Sequence, residues 1–533
     1  MNLWKQRLLA PNAGARILRC RFPLVSHARH HVVVWSVFKG QLLHSISNRA
    51  FTCLPCLLTH IMKLLLPVVL LQLWLVNAMS LVARNNRSSS FVTVKDGRFS
   101  LDNELFRFYG TNAHWIQMTT DDDMENTFHA IATAGYNVVR TWAFNDVPSK
   151  PASGPYFQVL NGNGGNINEG NDGLKRLDKA VSLAQKYGIK LLLSLTNNWN
   201  PERPVPNTAW NRRANTKELP RGYLSNDYGG MDAYVRALRP NGTHDSFYTD
   251  NTIINAFKNY VSHVVKRYAN SPAVLAWELG NDLRCSSTLP ASNNCNTGTI
   301  TNWTADISSF IKSIDSNHLI TAGDGGFYCL KCPKRFAKDF TKPTSSLPGS
   351  AFDGSYGVDT EDILAIPSID FGSFQLFPDQ VNYFPTVDDS FATKAIGDGG
   401  KWISAHSNTA SRLGKPEALT AASILGKENY SSFAPFNSTS QIPDGTPCAG
   451  VEPFQVDYAF TSWAGVALHG NIGGVLEYQW QQDGLTSHGT IHENWEKRAL
   501  TESPQDGSAR YKGPASGQNA EQFAADLPPI EDE

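Results

Sequence analysis

The chain has 533 residues, with 47 Lys or Arg against 48 Asp or Glu, 18% charged and 11% aromatic side chains. That length holds one large barrel or two to three domains, and 13 Trp suit a big apolar core with an aromatic-lined cleft. Nine of the basic residues and no acidic one fall in residues 1–78, leaving 38 basic against 48 acidic, a net of −10 that argues against nucleic-acid binding by the main domain.

Met62-Lys63, the 13-residue apolar run Leu64–Val76 and the small-residue site Val76-Asn77-Ala78 have the form of a secretory signal peptide over 62–78, too short to span a membrane. Residues 1–61 then read as an upstream extension. The rival readings are an Arg-rich, acid-free transit peptide or an uncleaved signal anchor. The expectation is a secreted protein with no stable membrane association after cleavage. Sequons at Asn86, Asn241, Asn302, Asn429 and Asn437 agree with export.

From about residue 91 strand-like apolar runs alternate with amphipathic stretches, the pattern of repeated β-α units. The runs are Phe106–Thr111, Asn137–Thr141, Lys190–Leu195, Val274–Glu278, Leu319–Gly323, Ile369–Phe374, Glu417–Ala421 and Gly474–Tyr478. Helices are predicted over Ile253–Tyr268 and Asp306–Ile314. Eight strands in one span predict an α/β fold, a single (β/α)8 TIM barrel over 91–512. Long top-face loops at Asn161–Gly173 and Asn200–Asp227 are expected, and an acidic disordered tail over 513–533. Cys285 with Cys295, and Cys329 with Cys332, read as local disulfides, with Cys448 left over. A zinc site would need a second such pair or a nearby His.

The fourth run ends Trp277-Glu278-Leu279-Gly280-Asn281-Asp282-Leu283-Arg284-Cys285. It resembles the Trp-Glu-Leu-(Ala/Gly)-Asn-Glu-Pro-Arg-Cys segment of fungal endo-β-1,4-mannanases of glycoside hydrolase family 5. Val138-Val139-Arg140-Thr141-Trp142-Ala143-Phe144 is similar to that family's second-strand motif, and Thr196-Asn197-Asn198-Trp199 to its third-strand end. The resemblance covers nearly the whole barrel. It implies β-mannan or a related polysaccharide as partner and no metal, nucleotide or redox cofactor.

Retaining glycosidases need two carboxyl groups about 5–5.5 Å apart, one the nucleophile and one the acid/base. By the resemblance the acid/base position is Asp282, one methylene short of Glu. It follows Asn281, which in the family bonds the sugar 2-hydroxyl, while Arg140 would brace the nucleophile. Gln375 and Phe377 stand where the family has His and Tyr, and Tyr478 replaces the Trp beneath the reactive sugar. In Lys415-Pro416-Glu417-Ala418-Leu419-Thr420-Ala421 the nucleophile register falls on Ala421. Arg140, Trp142, Asn198, Trp199, Asn281, Gln375, Phe377 and Tyr478 are thus the expected substrate-binding residues.

Other carboxylates have blander readings. Glu278 is expected to be a buried structural group, turned by strand alternation away from the side used by Asp282. Glu417 sits at a strand's start and Glu428 in a loop, so neither is a good nucleophile. Asp324 orders a loop. Glu477 could serve as base to Asp282 in an inverting scheme, but its position next to Tyr478 turns it toward the helices. Arg140 can also be read as holding loop carbonyls, and Trp142, Trp199 and Trp277 as packing. Two functions follow: a mannan-binding barrel with impaired chemistry, or an active endo-β-mannanase with a compensating carboxylate.

Overall fold

Eight short strands pair in parallel around one sheet: β1 Phe108–Asn112, β2 Val138–Trp142, β3 Lys190–Ser194, β4 Val274–Glu278, β5 Leu319–Thr321, β6 Gly372–Leu376, β7 Glu417–Ala422 and β8 Ile472–Glu477. The computed structural model describes residues 90–480 except 163, 202–220, 223, 343–348, 385–390 and 428–450. The upstream extension, signal peptide, acidic tail, Glu428, Cys448, the sequons at Asn86, Asn429 and Asn437, and most of the second long insertion lie outside the described residues.

The spatial order is β5-β4-β3-β2-β1-β8-β7-β6. The remaining seam is closed by hydrogen bonds from Asp370 N to Ile320 O at 2.9 Å and from Gln375 N to Gly325 O at 3.2 Å. The barrel is a (β/α)8 type. Continuous apolar runs form these strands because both faces of a parallel sheet are covered, and β2, β3 and β4 are buried at every position.

The described helices of the outer ring are α1 Asp121–Thr133, α2 Lys175–Tyr187, α3 Asn251–Tyr268, α4 Thr297–Ile314, the short α5 Thr360–Leu364, α6 Phe391–Leu413 and α7 Pro453–His469. Local chemistry sets their ends. Asp250 accepts from Thr252 N and Ile253 N to start α3. Gly188, at φ 72°, closes α2 in the left-handed region. Below the strands, an antiparallel ribbon (Thr93–Lys95, Arg98–Leu101, Glu104–Leu105) carries Phe99 into the barrel floor. Its ring lies 5.3 Å from Phe108 and 5.1 Å from Phe371. Val138, Leu192, Leu275 and Leu476 complete that plug, so any open cleft lies at the upper end.

Several expectations shift. Helix α4 begins at Thr297 rather than Asp306, because its first turns bury Thr301, Trp303 and Thr304, which carry no aliphatic periodicity. Strand β6 starts at Gly372, since Asp370 and Phe371 are spent on the seam to Ile320. The insertion at Asn161–Gly173 is not wholly loop: Gln158–Asn161 and Gly164–Ile167 form a hairpin that pairs with Asp146–Val147. Both expected disulfides are present, Cys285–Cys295 and Cys329–Cys332. Among the described residues no helix is long and apolar enough to cross a membrane.

Candidate active site

A buried guanidinium organises the upper end of the barrel. Arg140, midway along β2, donates from Nε and Nη2 to the two oxygens of Glu278 at 2.8 and 2.7 Å. It also reaches Asn112 Oδ1 at 2.9 Å and Asn281 Oδ1 at 2.8 Å. Removing such an ion from water is costly unless a carboxylate and further acceptors surround it, and Glu278 is the required partner. Asn281 Oδ1 also accepts from Gln375 Nε2 at 2.9 Å, while its Nδ2 donates to Asn197 Oδ1 at 2.8 Å. Asn112 Nδ2 ties the network to Thr420 O and Glu477 O.

Glu278 is buried and structural as expected, and its carboxylate lies in the Arg140–Asn281 network, not on the side to which Asp282 turns. One expectation is corrected here. Arg140 holds Glu278, Asn112 and Asn281, so the side-chain bonds of this guanidinium run to β4 and β1 instead of bracing a nucleophile on β7.

Asp282 is turned aside from that network. Beyond β4 the chain continues in register, with Asn281 N bonded to Thr196 O and Asp282 N to Gly323 O. Asp282 then takes a φ of 59°, which ends strand alternation. Its Oδ2 accepts from Trp199 Nε1 at 2.8 Å, and both oxygens accept from Arg284 Nε at 2.9 and 3.0 Å. Asp282 is 1% exposed. Arg284 is itself caged, its Cζ 4.7 Å from the Tyr356 ring, 4.9 Å from Phe327 and 5.4 Å from Trp199. Phe327 and Tyr356 stack at 4.0 Å. Gly323, at φ 81°, allows this approach: a Cβ there would lie 2.1 Å from Gly280 O.

On the opposite wall the chemistry is apolar. Ala421, Phe377 and Tyr478 form a small buried cluster, the two rings edge to face at 5.5 Å. The expected nucleophile station therefore carries a methyl group packed on two aromatics.

The other carboxylates are engaged elsewhere. Glu417 pairs with His406 Nδ1 at 2.6 Å on α6, and burial raises its pKa. Glu477 accepts from the hydroxyls of Tyr136 at 2.7 Å and Tyr109 at 3.0 Å, with burial pushing its pKa to about 8. Asp324 caps its own loop through Gly326 N at 3.2 Å, and its pKa rises to about 7, chiefly through burial.

Of the aromatics, Trp142 lies beneath Arg140 and donates to Ser225 O, and Trp199 holds Asp282. Trp277 points outward to Asp315 Oδ2 at 2.8 Å and has no part in the site. Asn198 is buried, donates to Ser286 O at 3.3 Å, and leaves Oδ1 without a partner.

Three participants escaped sequence reasoning. The cage around Arg284 needs Tyr356, remote in sequence and without a motif. His114, just past β1, is buried with neither ring nitrogen bonded; burial, then the charge of Arg140, lowers its pKa to about 3. Asp379, beyond β6, accepts from Leu425 N at 2.8 Å, has Oδ1 unpartnered, and is pushed by burial to about 7. A lone buried acid four residues before Tyr383 carries no local signature. Among the described residues no group of three or more His, Cys, Asp or Glu could hold a metal ion. A cavity of about 630 Å³ lies beyond Trp199, lined by Asp146, Leu160, Asn200, Asp227 and Arg236, and contains none of the stations above.

A family model described as GH family 5 beta-mannosidase-like matches residues 89–343. The chain is 38% identical over 333 residues to mannan endo-1,4-beta-mannosidase F of Aspergillus fumigatus, covering 62% of this chain and 63% of that protein. It is 35% identical to mannan endo-1,4-beta-mannosidase A of Aspergillus aculeatus, covering 62% of this chain and 73% of the relative. The chain thus spans about three fifths of the length of the first curated relatives it matches. Among solved structures, an endo-1,4-beta-mannanase from Rhizomucor miehei superposes with a TM-score of 0.55 at 27% identity, over 78% of this chain and 98% of that one.

Proposed function

Because this chain belongs to glycoside hydrolase family 5, in its β-mannosidase-like group, we propose that it binds β-1,4-mannan or a related wall polysaccharide while hydrolysing it poorly or not at all. One observation carries the reading: the seventh strand presents the methyl of Ala421, packed on Phe377 and Tyr478, where a covalent glycosyl intermediate requires a carboxylate. The engagement of both Asp282 oxygens by Arg284 supports it, since an acid/base must reach the glycosidic oxygen. Binding is supported by the partly exposed Asn281. Only one of its two amide hydrogens is used among the described residues, by Asn197.

Release of reducing ends from mannan, compared with Asp282→Ala, tests this. Calorimetry with mannohexaose reads binding separately. Micromolar to millimolar affinity without turnover is the expected result. Clear turnover that disappears in the variant overturns it.

A second reading, an active endo-β-mannanase, draws on the carboxylate kept after Asn281. It needs another carboxylate, and Asp379, with one oxygen unpartnered, is the candidate. Turnover abolished by Asp379→Asn, with the fold intact, would support that alternative.

Export follows from the same reading. The two disulfides suit an oxidising compartment. N-terminal sequencing of the native protein should find a start at Met79, and a mature chain retaining residues 1–61 would refute it.

A further inference from the structure

Among the described residues only three large hydrophobic side chains are strongly exposed: Phe454 at 70%, Tyr458 at 62% and Leu105 at 55%. Leu105 belongs to the ribbon below the barrel, whereas Phe454 and Tyr458 share one face of α7. Helix α7 follows β7, so its first turn lies at the upper rim; Val451, just before it, bridges Gly426 just beyond β7. The two rings are four residues apart, roughly 6 Å along the helix axis, the length scale of one pyranose.

We propose that Phe454 and Tyr458 form a second carbohydrate-binding platform, on which an extended β-1,4-linked polysaccharide stacks its pyranose faces outside the barrel centre. The patch is too small for a second copy of the chain. It is bounded by Glu452, Gln455 and Asp457, and continues along the helix as half-buried Thr461 and Ser462. Two rings cannot approach the roughly 800 Å² per partner of a stable protein interface. Flat aromatic rings with an exposed carboxylate beside them instead match a sugar, which offers apolar C–H faces and hydroxyl donors at its edges. The ligand class rests on the polysaccharide reading above, but the platform and the barrel centre are separable.

The full chain is partitioned on insoluble β-1,4-mannan and on cellulose, and its affinity for soluble mannohexaose is measured in parallel. The Phe454→Ala/Tyr458→Ala variant is expected to lose roughly tenfold in binding to the insoluble polymer, with mannohexaose affinity unchanged. Phe454→Tyr/Tyr458→Phe, which keeps both flat rings, should bind like the native chain. Unchanged partitioning of the alanine variant overturns the platform, as does failure of the native chain to bind any insoluble β-glycan. A native dimer that the alanine variant converts to monomer in sedimentation also overturns it, in favour of self-association. Ring-dependent binding to the polymer without mannohexaose binding supports the platform and refutes only the reading of the barrel centre.

Discussion

Arg284 holds Asp282 from two residues away, its single Nε–H shared between both carboxylate oxygens at 2.9 and 3.0 Å. In the same run of sequence that most resembles a catalytic motif, the charged pair closes on itself. Side-chain exposures of 11% and 2% mean that water does little to screen it.

Breaking this pair should therefore be costly. Arg284→Met leaves a buried carboxylate with, among the described residues, only Trp199 as a side-chain donor, and a loss of about 3 kcal/mol is expected. Trp199→Phe removes one neutral donor and should cost about 1 kcal/mol. Urea unfolding reads both; an Arg284→Met effect below that of Trp199→Phe would show that the pair is not the anchor.

Restoring the missing acids should not restore hydrolysis by itself. Ala421→Glu inserts a carboxylate against Phe377 and Tyr478 at a site 1% exposed, and a destabilisation of roughly 1–3 kcal/mol is expected from crowding and desolvation. With Asp282→Glu added, reducing-end release should stay at background until Gln375→His, Phe377→Tyr and Tyr478→Trp rebuild the surroundings. Turnover in the double variant alone would show that those three positions are dispensable.

Stability should fall toward alkaline pH. The pKa of Glu477 rises from 4.5 to about 8 on burial, and those of Asp324 and Asp379 from 3.8 to about 7. Each folded-state value exceeds its unfolded one, so the folded chain holds more protons between them. The stabilisation is complete below the unfolded pKa and is lost as pH rises through the folded one. Glu477→Gln should leave Tm unchanged near pH 4.5 and raise it at pH 8.5. A Tm gain equal at both pH values would assign the effect to packing.

The Cys285–Cys295 disulfide closes a loop of ten residues' separation. Cys285 N also donates to Tyr356 O at 3.1 Å, linking the bridge to the ring stacked on Arg284. Cys285→Ala/Cys295→Ala should lower stability by about 2–3 kcal/mol and weaken the Tyr356 stack, visible as a change in near-UV circular dichroism. An unaltered near-UV spectrum would show that the cage stands without the bridge.

Much of the barrel was legible from local pattern alone. The Val274–Glu278 strand lies where its apolar run predicts, and most others start or end within a few residues of expectation, because a strand buried on both faces must be written as a continuous apolar run. Helix α4 extends further back than Asp306 because its first turns bury Thr301, Trp303 and Thr304 around a single aliphatic, Ile300. Of the residues singled out in the sequence, Arg140, Asn281 and Gln375 come together in one network and Phe377, Ala421 and Tyr478 in one cluster, since all sit in or just beyond barrel strands.

Sequence by itself determined that a methyl group, an amide and a ring occupy Ala421, Gln375 and Tyr478, for side-chain chemistry needs no coordinates. Only the tertiary structure decided where Asp282 and Glu278 point. Alternation is a rule of extended backbone and lapses where Asp282 adopts φ 59°. The partner of a buried arginine is chosen by burial cost across the barrel, 138 residues away in the case of Arg140 and Glu278.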